Sequence, residues 1–224
     1  MGKIILNSKN IIKSYQNGDK PLVVLNGINI ELEVGTITTI IGESGSGKST
    51  LLNVLSSLDT FDSGKLLIDN EDISSLTESS LSLFRNEKIG FIFQFHHLLP
   101  DFTILDNILM PMWIQNGFGQ SERPLELLRD FGLLKIKDKY PSDVSGGERQ
   151  RVAIIRSIVN KPKILFADEP SGNLDEKNSI KLIDLFKQIN RDFNTTIMIT
   201  THNPSIARVG NIIYELKSGV LIKK

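Results

Sequence analysis

The chain has 224 residues, of which 40% are hydrophobic and 23% charged, the composition of an ordinary globular protein. Lysine plus arginine and aspartate plus glutamate number 26 each, so no overall charge would draw the chain to nucleic acid or anionic lipid. The lack of cysteine excludes disulfides and thiolate metal sites and fits a cytosolic protein. We find no signal-peptide pattern and no apolar run of about 18 residues, and so expect any work at a membrane to go through another chain.

The first third of the chain predicts β-strands separated by turns. Two long β-rich segments, residues 3–15 and 21–35, precede a shorter run at 36–41. A further strand is predicted over residues 64–73, directly after the turn at 62–64. These segments predict an antiparallel β portion at the front of the fold.

Helical periodicity begins after this β-rich part. Apolar residues at helical spacing predict one helix over residues 105–113, despite Pro111, and a second over 121–131. Two further helices are predicted at about 147–160 and 175–192.

Two continuous apolar runs, residues 163–168 and 195–200, are typical of strands in a parallel sheet that helices cover on both faces. Their alternation with the predicted helices indicates βαβ units. We therefore predict one α/β domain over residues 1–224, with a parallel sheet core and an N-terminal antiparallel β subdomain. A helical subdomain at about 95–160 is predicted to be inserted in this core.

The segment GESGSGKST lies between the predicted strand 36–41 and a helical run, which is the context that a phosphate-binding P-loop requires. Its glycines let successive backbone N–H groups point inward around an anion, and the following helix directs its positive end to the same point. Lys48 is predicted to neutralise the β- and γ-phosphates, and Ser49 to ligate Mg²⁺. The alternative, a glycine-rich turn that happens to contain Lys-Ser, arises by chance in roughly one chain of this length in a hundred. The predicted nucleotide-binding residues of this loop are Gly42, Glu43, Ser44, Gly45, Ser46, Gly47, Lys48, Ser49 and Thr50.

Polar side chains follow other predicted strands at the same edge of the sheet, where ligands of parallel sheets bind. Asp168 would hold Mg²⁺, and Glu169 is the candidate base that deprotonates the attacking water. The alternative is a solvated Asp-Glu pair at a strand end. His202 is predicted to bond the γ-phosphate and the water, and Gln94 to contact both Mg²⁺ and the water.

A second phosphate-facing element is predicted at the start of the helix near residue 147. Ser145 and Glu148 form a capping-box pattern, which by itself indicates only a well-made helix start. The pattern leaves Gly146 and Gly147 unexplained, because two glycines lower helix propensity and expose backbone N–H groups to an anion. We therefore predict that this helix start faces the nucleotide from the side opposite the P-loop.

In order and spacing, these motifs resemble the ATPase subunits of ABC transporters over nearly the whole chain. The resemblance implies that two subunits close head to tail on two ATP molecules, each held between one P-loop and the other subunit's Ser145-Gly146-Gly147. It also implies that Tyr15 stacks on adenine and that Asp175 lies in a loop that contacts the nucleotide across the dimer. The motifs that carry it are GESGSGKST at 42–50, Gln94, SGGERQR at 145–151, DEP at 168–170, SGNLD at 171–175 and TH at 201–202.

Three positions depart from the commonest form of this family. Val144 and Glu148 stand where leucine and glutamine are usual, and Asn203 replaces the more usual aspartate after His202. Since the serine and both glycines of the signature are intact, we expect no loss of ATP chemistry.

The segment 94–112 resembles more closely the lipoprotein-releasing ATPases of the LolD type, in the same branch as the MacB exporters. This resemblance implies a peripheral subunit at the cytoplasmic face of the bacterial inner membrane, bound to LolC- and LolE-like membrane proteins. A MacB-like exporter of macrolides or peptides and an FtsE-like cell-division ATPase remain open as alternatives. A soluble ABC ATPase of DNA repair or translation is disfavoured, since the chain lacks a second cassette and a basic stripe; Glu169 and His202 argue against a regulator that never hydrolyses ATP.

The adjacent His96 and His97 allow three interpretations. As metal ligands they would lack further histidine or cysteine ligands, because the chain has one other histidine and no cysteine. They could instead be one packed and one exposed residue of no special function. We favour a third interpretation, in which the segment Phe95–Phe102 docks on the cytoplasmic part of the membrane partner, next to Gln94.

Overall fold

The structure is a computed structural model that describes residues 2–18, 20–119, 121–172 and 176–224. Its strands are β1 Ile4–Asn17, β2 Lys20–Glu33, β3 Ile37–Ile41, β4 Ser63–Ile68, β5 Glu71–Asp72, β6 Ile89–Ile92, β7 Ile164–Asp168, β8 Thr196–Thr201, β9 Ile212–Lys217 and β10 Val220–Lys223. Its α-helices are α1 Lys48–Leu55, α2 Glu78–Lys88, α3 Ile104–Asn116, α4 Arg123–Asp130, α5 Gly146–Ile158, α6 Glu176–Phe193 and α7 Pro204–Ala207. Short 3₁₀ turns lie at Ile73–Ser75, Leu134–Ile136 and Pro141–Asp143.

The strands form two sheets. An antiparallel sheet has the order β2-β1-β4-β5, and a second sheet has the order β10-β9-β3-β8-β7-β6, in which every pair except β10 and β9 is parallel. The structure thus confirms the predicted α/β class, with a parallel core and an N-terminal antiparallel part. No helix within the described ranges is long and apolar enough to cross a bilayer.

Alternation along the parallel strands divides the apolar core into two clusters. In β7, Leu165 and Ala167 pack against α3, α4, α5 and α6, whereas Ile164 and Phe166 pack toward α1 and the antiparallel sheet. Side-chain caps set where several helices begin: Thr103 caps α3 and Ser145 caps α5, each with a reciprocal capping box. The helix starts and the sheet faces therefore follow from local sequence patterns.

Two hairpins differ from the predicted elements. The single strand predicted over 64–73 is wrong, because Asp69 and Asn70 have φ of 52° and 67° and turn the chain back between β4 and β5. This is the backbone geometry of a tight two-residue hairpin turn. A second hairpin, β9–β10, was not predicted, although Ser218 and Gly219, with φ of 49° and 75°, provide the corresponding turn.

Strand register aligns the ends that matter for function. Ile41 at the end of β3 lies opposite Thr201 in β8, and Asp168 at the end of β7 lies opposite Thr200. Because these strands are parallel, the P-loop after β3, the acidic pair at the end of β7 and the histidine after β8 all emerge at one edge of the sheet.

Candidate functional site: a cleft at the edge of the parallel sheet

The P-loop connects β3 to α1 through backbone that only glycine adopts easily. Gly45 and Gly47 have φ of 78° and 99°, and a Cβ atom on Gly47 would lie 2.9 Å from Val24 Cγ1. Helix α1 has no side-chain cap at Gly47, so its first N–H groups are left for another acceptor. The loop therefore has the shape and the donors to hold a phosphate.

This loop borders an open cleft of about 700 Å³. Residues 15, 94, 169 and 202, predicted from separate motifs, border the same space. Asp168 lies beside the cleft, at the end of β7. The lining residues are Tyr15, Val24, Ser44, Gly45, Gly47, Lys48, Ser49, Thr50, Gln94, Glu169 and His202. The structure thus brings together in one cleft residues that the sequence predicted from separate motifs.

Lys48 stabilises the P-loop through hydrogen bonds to the backbone of the loop. Its ammonium group donates hydrogen bonds of 2.9 Å to the carbonyls of Gly42 and Glu43, and it lies 3.5 Å from Glu169 Oε1. The side chain is only 8% exposed, so its positive charge is directed into the cleft rather than into bulk solvent. A bound triphosphate would provide the strong anionic partner that this cation lacks among backbone carbonyls.

Glu169 has an uncommon backbone conformation for its residue type. Its φ is 43°, in the left-handed region, which costs a non-glycine residue about 1–3 kcal/mol. Its carboxylate is held between two groups: Oε1 faces Lys48, while Oε2 lies 2.8 Å from His202 Nδ1 and accepts a 3.2 Å bond from the His202 backbone N–H. The strained turn thus directs a buried carboxylate toward the P-loop.

Asp168 and Gln94 lie beside this turn. The Thr200 hydroxyl donates a 2.7 Å hydrogen bond to Asp168 Oδ1, which fixes the carboxylate at the strand end. A Cβ atom on Gly172 would lie 3.2 Å from Gln94 Nε2, so the amide is against the loop that follows Glu169. Thr200 was not predicted as a site residue, although parallel pairing places it directly across from Asp168.

The oxygen donors near the P-loop suit a magnesium ion that comes with its nucleotide. Over the described residues, no group of three or more histidine, aspartate or glutamate side chains could hold a metal alone. Ser49, Gln94 and Asp168 offer neutral and anionic oxygens, the kind that Mg²⁺ prefers, and this ion keeps several ligands from water and phosphate. The donor set therefore fits a metal that binds together with the triphosphate.

Tyr15 lines the cleft. Its hydroxyl donates a 2.6 Å hydrogen bond to Asp59 Oδ2, and Lys13 lies 4.8 Å from the ring centroid while pairing with Asp59 at 2.8 Å. Burial, and next the bond to Asp59, raise the pKa of the Tyr15 hydroxyl. Asp59 thus orients the ring, and no local signal could have found it, because 44 residues separate the two.

The signature residues lie in a second, separate cleft of about 470 Å³ at the start of α5. The Ser145 hydroxyl donates a 2.7 Å bond to Glu148 Oε2, and this bond is the main cause that lowers the pKa of Glu148. Gly146 and Gly147 are not required by the chain's own packing, since added Cβ atoms would meet other atoms only at 3.9 Å and 3.7 Å. Their missing side chains leave room for something from outside the chain. The predicted nucleotide contact Asp175 falls outside the described residues.

Asn203, which follows the predicted site residue His202, caps the short helix α7. Its side-chain oxygen accepts a 2.9 Å bond from the Ser205 backbone N–H, which caps the short helix α7. Asparagine caps as well as aspartate, so the departure from the family at this position keeps the helix that follows His202.

The two adjacent histidines lie in different surroundings. His96 is half-buried, and its Nδ1 has no hydrogen-bond partner among the described residues, whereas His97 is exposed with its ring edge on Phe93 at 5.1 Å. Arg156 of α5 donates bonds of 2.9 Å and 2.8 Å to the carbonyls of His96 and His97. Phe95 is 63% exposed. The segment is therefore anchored by its backbone, while part of its apolar surface faces solvent.

A glycine loop between a parallel strand and a helix, facing a buried glutamate and a histidine at the same sheet edge, defines a P-loop ATPase. A family described as "ABC transporter" matches residues 25–172. The chain belongs to this family, as its motifs predicted.

Relatives and solved structures agree with this assignment. A protein named "Lipoprotein-releasing system ATP-binding protein LolD" from Pseudoalteromonas translucida is 42% identical, over 96% of this chain and 94% of that relative. The LolD of Cytophaga hutchinsonii is 45% identical, over 97% and 99%. The dimeric ATP-binding cassette MJ0796, solved with ADP and Pi, superposes with a TM-score of 0.90 at 35% identity, over 98% of this chain and 97% of that one.

Proposed function

We propose that this chain is the ATP-hydrolysing subunit of a bacterial transport system that releases lipoproteins from the inner membrane. The observation that carries the ATPase part is the meeting of Lys48, Glu169 and His202 in one cleft. The lipoprotein part is supported by relatives that bear this function in their names and align over nearly the full chain.

The contacts in the cleft support a division of chemical roles. Lys48 would exchange its carbonyl partners for the β- and γ-phosphates, and Ser49, Asp168 and Gln94 would hold Mg²⁺ beside them. The ion, when bound, neutralises charge that develops on the phosphates. Glu169 would then accept the proton of the attacking water.

His202 would keep the Glu169 carboxylate in place for this step. Its Nδ1 and its backbone N–H already meet one oxygen of that carboxylate, which leaves the other oxygen directed toward Lys48 and the P-loop. ATP binding at Lys48 would release Glu169 Oε1 from the lysine and make it available to water. We propose this order of events because the two carboxylate oxygens of Glu169 have different partners.

We further propose that two copies of the chain close head to tail around two nucleotides. The signature cleft and the P-loop cleft of one chain share no lining residue, so each forms a separate half of the proposed site. The empty space at Gly146 and Gly147 fits a phosphate presented by a second copy. The similar cassette MJ0796 was solved as a dimer bound to ADP and Pi, which supports the association of two copies.

The segment Phe95–Phe102 is proposed to contact integral membrane subunits similar to LolC and LolE. Its members Phe95, Leu99 and Phe102 are exposed, and the nearby Phe93 and Ile114 line an open groove of about 440 Å³. Arg85 and Arg156 contribute positive charge to this groove, and Arg156 also holds the segment by its backbone. Apolar anchors with a few polar groups make the usual mixture at protein interfaces.

The double substitution His96→Ala with His97→Ala should weaken the complex with the membrane subunit and leave the chain folded. The backbone carbonyls that Arg156 holds are kept, so the segment stays anchored while its imidazoles are lost. Co-purification with the membrane subunit measures assembly, and circular dichroism with thermal melting measures the fold. Normal assembly, or an unfolded variant, would show that these histidines do not serve docking.

The transport function itself is tested by reconstitution. We expect the chain to co-purify with an integral membrane protein, and the complex in proteoliposomes to release a labelled lipoprotein only when ATP and Mg²⁺ are present. The matched control is the same complex with Glu169→Gln, which should release none. Release of macrolides or peptides in place of lipoproteins would assign the chain to an exporter instead.

A further inference from the structure

The strained turn at Glu169 requires support from outside itself. A left-handed glutamate persists only where neighbouring groups fix the backbone, and its φ of 43° lies at the point where the carboxylate must face the P-loop. The Glu169 N–H donates to the Thr200 carbonyl at 3.1 Å, and the Gly172 N–H donates to the Glu169 carbonyl at 2.9 Å. These bonds hold both peptide groups of Glu169.

A third bond comes from Gln150, a residue of the SGGERQR motif to which the sequence analysis gave no role of its own. Gln150 of α5 is 3% exposed, and its Nε2 donates a buried 3.0 Å bond to the carbonyl of Pro170, the residue after Glu169. A buried carbonyl that loses its donor costs about 1–3 kcal/mol, comparable with the strain of the turn. Removal of this one amide could therefore let the turn relax.

We propose that Gln150 is a positioning residue for hydrolysis, which holds the strained turn so that the Glu169 carboxylate faces the attacking water. This inference rests on the proposed role of Glu169 as the base. Gln150 acts through the backbone of Pro170 and does not line the nucleotide cleft, so its effect belongs to the chemical step rather than to nucleotide binding.

The hydrogen bond from Gln150 to Pro170 also connects the signature helix α5 to the turn at Glu169. Gln150 borders the signature cleft a few residues after Ser145. One side chain thus joins the signature cleft to the turn of the catalytic glutamate. Movement of the signature helix would reach Glu169 through this amide.

Gln150→Met tests the proposal, because methionine keeps the volume and removes the donor. We expect ATP kcat to fall about 10- to 100-fold, the usual result of a misplaced catalytic group, while the KM for ATP stays within about twofold. The matched control is Asn190→Leu, which removes an amide that donates to the carbonyls of Gly35 and Thr195 away from the cleft. This control should lower the melting temperature and leave kcat unchanged.

Gln150→Glu gives a second readout that a purely structural role would not move. The buried carboxyl group has a raised pKa and provides a donor to Pro170 only when protonated. Its kcat relative to wild type should therefore rise as pH falls from about 8 to about 6. A ratio that stays flat while this carboxyl group is protonated would overturn the proposal, and this readout is the decisive test if the methionine variant does not fold.

The remaining outcomes separate this inference from the proposed function. If Gln150→Met hydrolyses ATP at the wild-type rate while Glu169→Gln does not, the inference fails and the role of Glu169 stands. If Glu169→Gln hydrolyses normally, the proposed function fails first. An equal loss of ATP affinity and kcat in Gln150→Met would indicate a general disturbance of the cleft and would also overturn the inference.

Discussion

Replacing Lys48 with alanine is expected to weaken ATP binding strongly. The triphosphate would lie against P-loop N–H groups without a balancing cation, in a site where the lysine is only 8% exposed. Loss of one partner from a buried charge pair costs about 2–5 kcal/mol, which corresponds to a Kd increased by roughly 30- to 5,000-fold. Isothermal titration with ATP and Mg²⁺ measures this change directly.

A matched control shows whether the loss of ATP binding is specific to the positive charge at Lys48 or follows from removing any lysine charge. Lys163 pairs with Asp69 on a distant part of the surface, so Lys163→Ala should bind ATP within a few-fold of wild type. Lys48 also bonds the carbonyls of Gly42 and Glu43, and its loss could let the loop open. Thermal melting of both variants checks this. An ATP affinity for Lys48→Ala within a few-fold of wild type would refute the P-loop assignment.

The sequence predicted the parts of this site that depend on local or periodic rules. A glycine loop between a strand and a helix places Lys48, and parallel strands bring their carboxyl ends to one edge. Asp168, Glu169 and His202 were therefore expected near the loop before any contact was known. Their exact partners, such as Glu169 at 2.8 Å from His202 Nδ1, depend on the packing of separate strands and do not follow from the sequence.

The contacts that orient side chains around the site join residues far apart in the chain, so no local sequence pattern predicts them. Asp59 orients Tyr15 from 44 residues away, and Arg156 holds His97 from 59 residues away. Such pairs depend on how elements pack, and many sequences could place them otherwise. The hairpin at Asp69 is a different case, because its two-residue turn Asp69-Asn70 depends only on neighbouring residues.

Glu169→Gln is expected to stop ATP turnover and to produce dimers that persist in ATP. Glutamine keeps the size of the side chain and can still accept the bond from His202, but it cannot take a proton from water. Loss of a general base lowers the rate by about 100- to 10,000-fold. Since hydrolysis no longer separates the two chains, size-exclusion chromatography with ATP and Mg²⁺ should show a dimer, and the same variant with ADP a monomer.

The orientation of that dimer is tested by adding Gly147→Asp to Glu169→Gln. A Cβ atom at Gly147 meets only Asn178 atoms at 3.7 Å or more, and an acidic residue in the first turn of a helix is favourable, so the chain should fold. The new carboxylate would repel the phosphates of a nucleotide held by the second copy, and only monomers should remain. Gly119→Asp in the same Glu169→Gln background is the matched control, because it adds the same charge at an exposed glycine where a Cβ atom would meet nothing within 4 Å; its dimers should persist like those of Glu169→Gln. Monomeric Glu169→Gln in ATP, or a double variant that still dimerises, would contradict head-to-tail closure on the nucleotide.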